Sequence, residues 1–406
     1  SAVVRHCFVG QGVRLGAHLS AEHSLLVANS ELLNGEVCSI FAGPHTISHH
    51  KSTLLIAGMF SFYNAGSATN QSNHMYKLGP IHQGTLERGC KTGSGAYLMF
   101  PAHVGAFTLV LGSHYGRPDT SALPFSYLTE KEGCSVIFPG INLHSIGLQR
   151  DIEKWVERDR RTALEKLDLI NTELFTPYTI GRVCSGIEVI RRLLEKNIEH
   201  VTYSGVKISK SALIKGLKYY EEAVEIFLSN VLVDRVLSQQ VASQEALRAA
   251  LQATDKSGLG EWVDVAGMLA PKSEIERLFG ELESCAVGST AQLASRFEQV
   301  HRRYAEYTWA WALNLLANRL GKEVQLVGAP DIISVVAQGL KAEEHRIRML
   351  ISDADQDAQL AEKWGSDMFQ RRKAPQQDTP ILKTLDAQLE RQRQRAAQAI
   401  GMLTAI

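Results

Sequence analysis

The feature that most constrains how this chain can fold is a repeat of six residues near its amino-terminal end. Read from Val9, the sequence divides into VGQGVR, LGAHLS, AEHSLL, VANSEL and LNGEVC. An aliphatic or small residue opens every hexad, and the fifth place is apolar in four of the five. A period of six fits neither an α-helix nor simple strand alternation. It is typical of a left-handed parallel β-helix, in which three hexads form one triangular coil.

A second block of hexads, in register with the first, follows an interruption. It reads TGSGAY, LMFPAH, VGAFTL and VLGSHY, with openings at Thr92, Leu98, Val104 and Val110. The phase also runs backward to Val3, so we expect the chain to begin inside a longer protein. The pattern predicts a left-handed parallel β-helix over residues 1–150, incomplete at its amino-terminal end and carrying an inserted polar loop at about 64–91.

Beyond residue 150 the periodicity becomes that of α-helices. The segment GIEVIRRLLEKN places its apolar residues on one face, and SKSALIKGLKYYEEAVEIFLSNVLVDRVL repeats them at spacings of three and four. Ser209 is a predicted N-cap and Gly321 a predicted C-cap. The last helix, LKTLDAQLERQRQRAAQAIGML, looks polar and exposed. We therefore predict an α-helical domain over residues 151–406 and a mixed β and α fold.

Composition narrows the possible partners and location. Lys plus Arg equals Asp plus Glu at 43 each, which gives no argument for a nucleic-acid partner, since such recognition needs a basic surface. The sequence lacks the run of roughly 18 to 20 apolar residues that a membrane-spanning helix needs. Its six cysteines are spread singly, a pattern that favours reduced thiols. A cytoplasmic protein without membrane or nucleic-acid partners is the simplest prediction.

The polar stretch GSATNQSNHMYKLGPIHQG, Gly66 to Gly84, lies between the two hexad blocks. Because the side chains of a β-helix fill its own interior, function has to come from such excursions and from clefts. Acyl transfer from a thioester needs a base and polar donors, and histidine titrates near neutral pH. We predict His74, His82 and His114 as catalytic candidates. The predicted substrate-binding residues are Asn64, Asn70, Gln71, Asn73, Lys77, Gln83, Arg117 and Asp119.

The hexads resemble the hexapeptide-repeat superfamily of acyltransferases. The strings MFSFYNAGSATNQSNHMYKLGPIHQG, GSHYGRPDTSALPFSYL and EWVDVAGMLAPKSE look like an uncharacterised bacterial family that joins such a β-helix to a helical region. The superfamily resemblance implies a homo-oligomer, most often a trimer, with a histidine as general base in clefts between subunits. It also implies acyl-CoA as the donor and a sugar, nucleotide-sugar or other small polar metabolite as the acceptor. The second resemblance brings no established reaction.

Two other functions stay open on the sequence. His45 and His50 are five residues apart, as are zinc ligands in the trimeric β-helix carbonic anhydrases that this part resembles. A site at His45, His49 and His50 would hold zinc and activate water in a hydratase or hydrolase. The other alternative is a non-catalytic oligomeric scaffold, whose prism sets the assembly while its helices bind a partner.

Overall fold

The computed structural model of the protein describes residues 1–74, 79–253, 255–365 and 380–406. Its amino-terminal part is a parallel β-solenoid of about seven turns, and helices make up much of the carboxyl-terminal half. The predicted fold, a parallel β-helix followed by a helical region, is confirmed.

Short strands follow one another along the solenoid, and antiparallel hairpins come after them in the chain, the last of which forms a separate two-stranded sheet. In chain order they are β1 (Val3–Arg5), β2 (Phe8–Val9), β3 (Arg14–Leu15), β4 (Ser20–Glu22), β5 (Leu25–Leu26), β6 (Glu31–Leu32), β7 (Gly35–Cys38), β8 (Phe41–Ala42), β9 (Ile47–Ser48), β10 (Thr53–Ile56), β11 (Gly58–Phe60), β12 (Asn64–Ala65), β13 (Asn70–Ser72), β14 (Gly84–Leu86), β15 (Lys91–Thr92), β16 (Tyr97–Met99), β17 (His103–Val104), β18 (Leu109–Leu111), β19 (Ser113–His114), β20 (Tyr127–Lys131), β21 (Cys134–Phe138), β22 (His200–Tyr203), β23 (Val206–Ser209), β24 (Trp262–Val265) and β25 (Met268–Pro271).

Every third strand joins the same sheet, which produces the three faces of the solenoid. The sheet orders are β1-β4-β7-β10-β13-β16-β19, then β17-β14-β11-β8-β5-β2, and a third sheet in which β3, β6, β9, β12, β15 and β18 lead to β20. Along the first sheet Val3 pairs with Ser20, Ser20 with Glu36 and Gly35 with Thr53, steps of 17, 16 and 18 residues. A coil is thus often shorter than three full hexads. Leu25 pairs with Phe41 and Glu31 with Ile47, both steps of 16 residues, so a strict period of six does not continue beyond the first block of hexads.

The corners of the coils use left-handed backbone at residues other than glycine. Positive φ values of about 50 to 60° occur every five or six residues along the first coils, at His18, His23, Asn29, Asn34, Ser39 and His45. Asparagine and histidine tolerate this conformation better than β-branched residues do. The corner positions therefore account for several of the histidines in this half of the chain.

The interior of the solenoid is apolar and tightly filled. Fully buried side chains from successive coils stack on one another, among them Leu26, Leu32, Leu55, Leu86, Leu98, Val104, Val110 and Leu128. Near the last coils the rings of Phe107 and Phe125 stack with centroids 5.0 Å apart. Each such side chain contributes about 1.5 to 3 kcal/mol by leaving water, so the prism is a rigid support for groups on its surface.

The interruption between the hexad blocks is an excursion from one coil. Asn70 pairs with Tyr97, a step of 27 residues, whereas Tyr97 pairs with Ser113, a step of 16. The additional residues lie between the end of β13 and the start of β14. The excursion is therefore narrower than the predicted loop at 64–91, because β12 and β13 already belong to the coils.

Two compact units can be distinguished, and both are discontinuous in sequence. The first, the solenoid unit, comprises residues 1–142, 152–220 and 260–305; the second, the helical unit, comprises 143–151, 221–259 and 306–406. The predicted domains 1–150 and 151–406 are continuous segments and stay a prediction. The helices are α1 (Ile146–Glu157), α2 (Pro177–Glu195), α3 (Lys210–Ser238), α4 (Gln244–Ala250), α5 (Lys272–Glu283), α6 (Thr290–Arg302), α7 (Tyr304–Leu320), α8 (Ala329–Gly365) and α9 (Pro380–Thr404), with short 3-10 helices at Ile141–His144 and Val324–Leu326.

Two predicted helix ends are observed, and one predicted helix is more buried than expected. The hydroxyl of Ser209 accepts a hydrogen bond from the backbone N–H of Ala212, and Gly321, with φ of 61°, follows the last residue of α7. In α9, however, Leu385 and Ala399 are fully buried, so its apolar stripe packs instead of facing water. Within the described ranges, no helix combines the length and hydropathy that crossing a membrane requires.

Candidate active site

The histidines of the excursion lie near its base. His74 forms an antiparallel bridge with Ile81 and is exposed. The backbone N–H of His82 donates to the carbonyl oxygen of Asn73 at 2.7 Å, which holds the two sides of the excursion together. Gln83 is exposed beside them, and the predicted residue Lys77 lies outside the described residues. The catalytic roles of His74 and His82 stay a prediction.

Two of the predicted site residues point into the prism. Gln71 and His114 both pair in register with Leu98, on neighbouring coils, and their exposed fractions are 1% and 0%. The Gln71 side-chain oxygen accepts from the N–H of Ile56 at 3.1 Å. His114 Nδ1 lies 2.8 Å from the Ser135 hydroxyl, and burial lowers the pKa of His114. Each side chain therefore has one hydrogen-bonded polar atom inside the core, while Gln71 Nε2 and His114 Nε2 are buried without a hydrogen-bond partner among the described residues.

The remaining predicted binding residues are spread along the solenoid. Asn64 is half-buried on β12, Asn70 is exposed on β13, and Arg117 is exposed at a turn with φ of 50°. Asp119 lies elsewhere, in a parallel bridge with His103. Of the predicted residues, Asp119 is therefore the one that adjoins the candidate site, because its bridge partner His103 belongs to that site.

The candidate site is centred on a carboxylate and an imidazole that face each other across neighbouring coils. His103 Nε2 lies 2.9 Å from Glu87 Oε1, and the backbone N–H of Ala106 donates to Glu87 Oε2 at 3.3 Å. The Glu87 side chain is 4% exposed, whereas the His103 side chain is 38% exposed. A buried carboxylate thus holds an imidazole that solvent and a ligand can reach.

Helix α2 adds a cation and a phenol to this pair. Arg182 Nη2 lies 3.3 Å from Glu87 Oε1, and the Arg182 guanidinium packs over the ring of Tyr178 at 5.4 Å from its centroid. Burial raises the pKa of the Tyr178 phenol, and the charge of Glu87 adds to this effect. The helix begins at a capping box in which Thr176 and Thr179 exchange hydrogen bonds, with Pro177 at the first turn.

A hairpin formed by β24 and β25 continues the charged cluster. Arg182 Nη1 lies 3.7 Å from Glu261 Oε1, and Lys272 Nζ lies 2.9 Å from Glu261 Oε2. Arg182 is 29% exposed and Lys272 48% exposed. The site therefore presents two cations, each already paired with a carboxylate: Arg182, which shares Glu87 with His103, and Lys272, which shares Glu261 with Arg182.

The hairpin is held to the solenoid by a buried charge pair. Arg88, the residue after Glu87, has a fully buried side chain whose Nη1 lies 3.7 Å from Asp264 Oδ2. It also donates to the carbonyl of Asn171, and its guanidinium lies 4.5 Å from the ring centroid of Phe62. The hydroxyl of Ser61 donates to Asp264 Oδ2 at 2.9 Å. These contacts fix the position of the hairpin at the site.

The electrostatics of the site favour a basic imidazole and a protonated phenol. The hydrogen bond that Glu87 accepts raises the pKa of His103, and Asp119 acts in the same direction. Burial raises the pKa of Tyr178 well above its usual value, so Tyr178 stays a hydrogen-bond donor. If Nε2–H donates to Glu87, Nδ1 carries the lone pair that can accept a proton. A carboxylate, an imidazole and a nearby cation can together act as a general base beside an anionic ligand.

Two of the three histidines of the zinc alternative, His45 and His49, have other partners. His45 is buried at a corner, with Nε2 3.3 Å from the Asn29 amide nitrogen and its ring stacked 5.5 Å from that of Phe62. His49 Nε2 lies 3.3 Å from Glu31 Oε1, and His50 is exposed. In the described ranges, donor atoms of three potential ligands come within 4.8 Å of one another at a different place, in the helical unit. A metal at His45, His49 and His50 remains an untested alternative.

Sequence reasoning missed Glu87, Tyr178 and Arg182. Glu87 precedes His103 by 16 residues, one step of the short coil, so the repeat contains a signal for this pair once the coil length is known. Arg182 and Tyr178 come from a helix whose docking site has no local signature. The repeat could have identified the pair but not its partners on α2.

Two family models match this chain, and neither carries a function. Residues 1–194 are similar to a family described as a domain of unknown function (DUF4954), and residues 243–379 to another such domain (DUF6819). No model of a hexapeptide-repeat family matches, and a search of curated proteins finds no match. The first match includes the coils of the solenoid and nearly all of α2, so Glu87, His103 and Arg182 all lie among the matched residues.

Proposed function

We propose that the solenoid unit is an acyltransferase of the hexapeptide-repeat type. It transfers an acyl group from a CoA thioester to the hydroxyl or amine of a small polar acceptor, such as a sugar or nucleotide-sugar. The observation that carries the proposal is the Glu87–His103 pair, a buried carboxylate that orients a reachable imidazole 2.9 Å away. The parallel β-solenoid is consistent with that superfamily.

His103 is the proposed general base. Its Nδ1 takes the proton of the acceptor while the acceptor oxygen or nitrogen attacks the thioester carbonyl carbon. The carbon–sulfur bond then breaks, and the CoA thiolate takes the proton back from the imidazolium. Glu87 supports this cycle because its charge stabilises the imidazolium and its hydrogen bond fixes the tautomer.

Arg182 and Lys272 are the proposed contacts for the anionic groups of the donor or acceptor. Glu87 holds Arg182 close to His103, and Glu261 holds Lys272 close to Arg182, before a ligand arrives. A phosphate would compete with these carboxylates for the same donors, and a guanidinium can bind phosphate through two parallel hydrogen bonds.

The test combines binding with turnover. The chain is incubated with acetyl-, succinyl- and longer acyl-CoA in the presence of sugars, nucleotide-sugars and amines, and free CoA thiol is measured. We expect His103→Ala to lower the rate by roughly 100- to 10,000-fold, the usual contribution of a general base. His50→Ala, which removes an exposed imidazole from the same solenoid, is the matched control and should keep the wild-type rate.

The same assay separates the two sets of histidine candidates. His74→Ala and His82→Ala should retain activity if His103 is the base, and should lose it if the excursion carries the chemistry. Full activity in His103→Ala overturns the role of the Glu87–His103 pair. If acyl-CoA neither raises the melting temperature nor yields thiol with any acceptor, acyl transfer is overturned, and a scaffold role gains support.

A further inference from the structure

A second histidine–carboxylate group lies in the helical unit, far from the candidate active site in sequence. His144, Glu222 and His345 each offer one donor atom, and these atoms all lie within 4.8 Å of one another. His345 Nδ1 is 2.9 Å from Glu222 Oε2, and the rings of His144 and His345 meet edge to face with centroids 5.8 Å apart. In the part of the chain that the structure describes, this is the group of potential ligands that converges most closely on one point.

We propose that His144, Glu222 and His345 bind a divalent transition-metal ion, with Zn²⁺ the best match. Two imidazoles and one carboxylate form a donor set that suits transition-metal ions. Calcium and magnesium fit it less well, because they prefer oxygen donors alone. Three protein ligands leave a fourth position for water, as at catalytic zinc sites.

The spacing of the donors is compatible with a bound ion after a small adjustment. Zinc lies about 2.1 Å from nitrogen and oxygen ligands, so two ligands of a tetrahedral site are about 3.4 Å apart. The His345–Glu222 pair would open by about 0.5 Å from its 2.9 Å contact, with the ion replacing the shared proton. Donor atoms of the group that are farther apart, at most 4.8 Å, would close toward the same separation around the ion.

The supports of the three ligands are rigid. His144 ends a 3-10 helix, and the backbone N–H of Ile146, two residues later, donates to Asp353 Oδ2 of α8 at 2.9 Å. Ile146 also packs against the buried cluster formed by α8 and α9, which contains Ile347 and Leu350. The segment that carries His144 is thus anchored to α8, the helix that carries His345. Metal binding is favoured because these two ligands need little further ordering.

Charged residues adjoin the proposed ligands on their own helices. Arg319 pairs with Glu221 and Glu225, which lie on α3 with Glu222, and Arg346, the residue after His345, pairs with Glu343. The Glu222 and His345 side chains are 16% and 28% exposed, so an ion can enter from solvent.

The experiment uses the full chain, purified without a histidine tag and stripped with a chelator. Co²⁺ is titrated while visible absorption is recorded, and Zn²⁺ is then used as competitor. We expect one Co²⁺ per chain with the strong absorption of a four-coordinate site, reversed by one equivalent of Zn²⁺. His345→Ala and Glu222→Gln should weaken binding by more than the roughly 10- to 100-fold that loss of a residue orienting a ligand costs.

Glu344→Gln is the matched control, because it removes a carboxylate from the residue before His345 and should leave the titration unchanged. Circular dichroism establishes that each variant folds, and the isosteric Glu222→Gln decides the question if His345→Ala does not. The proposal is overturned if the wild type binds no stoichiometric Co²⁺, or if folded Glu222→Gln binds it as the wild type does.

Discussion

The solenoid unit and the helical unit each place a histidine 2.9 Å from a carboxylate, but they do so in different ways. Glu87 and His103 are 16 residues apart, one coil, whereas Glu222 and His345 are 123 residues apart on two helices. The first pair is positioned by a repeated backbone register and the second by packing between distant segments. We therefore expect buried charges and coil geometry to dominate stability in the solenoid, and the helical pair to contribute little without a ligand.

The largest expected effect is at the buried charge pair beside the candidate active site. Arg88→Met leaves Asp264 with its carboxylate buried and without its cationic partner. Removing one member of a buried ion pair typically costs about 3 to 5 kcal/mol. Chemical denaturation should show a loss of that size in the free energy of unfolding of the solenoid unit.

Arg5→Met provides the comparison for that measurement. Arg5 pairs with Glu22 on the same solenoid, but the two side chains are 68% and 38% exposed. An exposed pair contributes at most about 1 kcal/mol. Equal losses in the two variants would contradict the view that burial decides the effect.

The next effect is a dependence of stability on pH. Burial lowers the pKa of His45 to about 4, with Asp159 and neighbouring arginines as smaller influences. An unfolded histidine titrates near 6.5, so the unfolded chain binds the proton first as the pH falls. Stability should therefore drop between about pH 6.5 and pH 4, by up to about 3 kcal/mol from this group. His45→Gln should remove that part of the slope in denaturation measured across the range.

His103 provides the control, because its pKa is shifted in the direction opposite to that of His45. Its hydrogen bond to Glu87 raises its pKa, so its contribution is fully present below about pH 6.5 and is lost as the pH rises through the folded pKa. His103→Gln should change the stability profile on the alkaline side, whereas His45→Gln should change it on the acid side. Identical profiles for the two variants would contradict both assignments.

A third prediction tests how closely neighbouring coils approach. A Cβ atom on Gly105 would lie 2.4 Å from the carbonyl oxygen of Thr120 on the next coil. Gly105→Ala should therefore destabilise by about 2 to 3 kcal/mol, since the backbone has to move. At Gly95, where φ is 71° and the space is open, alanine meets only the strain of left-handed backbone, about 1 kcal/mol. Thermal and chemical unfolding of the two variants should rank them in that order.

The sequence predicted the solenoid well because its signal is local and repeated. Hexads from Val9 indicated the coils, and the end of the first block has a physical cause in coils of 16 residues. The same repeat contains the Glu87–His103 pair at a spacing of one coil. What it does not contain is the docking of α2, because the contact of Arg182 with Glu87 follows from tertiary packing alone.

The helical unit was less predictable for the same reason. Helical periodicity indicates which face is apolar but not which helix covers it, and so α9 looked exposed although Leu385 is fully buried. His144, Glu222 and His345 come from three separate elements and form no short motif. Their convergence depends on how those elements pack within the unit, and this packing cannot be predicted from the spacing of residues in the sequence.

The smallest expected effect is at the helical pair in metal-free protein. Because Glu222 and His345 are partly exposed, Glu222→Gln should cost less than about 1 kcal/mol in the stripped chain. Glu343→Gln, which removes the buried negative charge that pairs with Arg346, should cost several-fold more and shows that the assay is sensitive. Chemical denaturation of the stripped variants provides the measurement. A large loss in Glu222→Gln would mean that the Glu222–His345 pair stabilises the helical unit without a metal. The two units would then differ in how they position a histidine–carboxylate pair, but not in whether the pair contributes to stability.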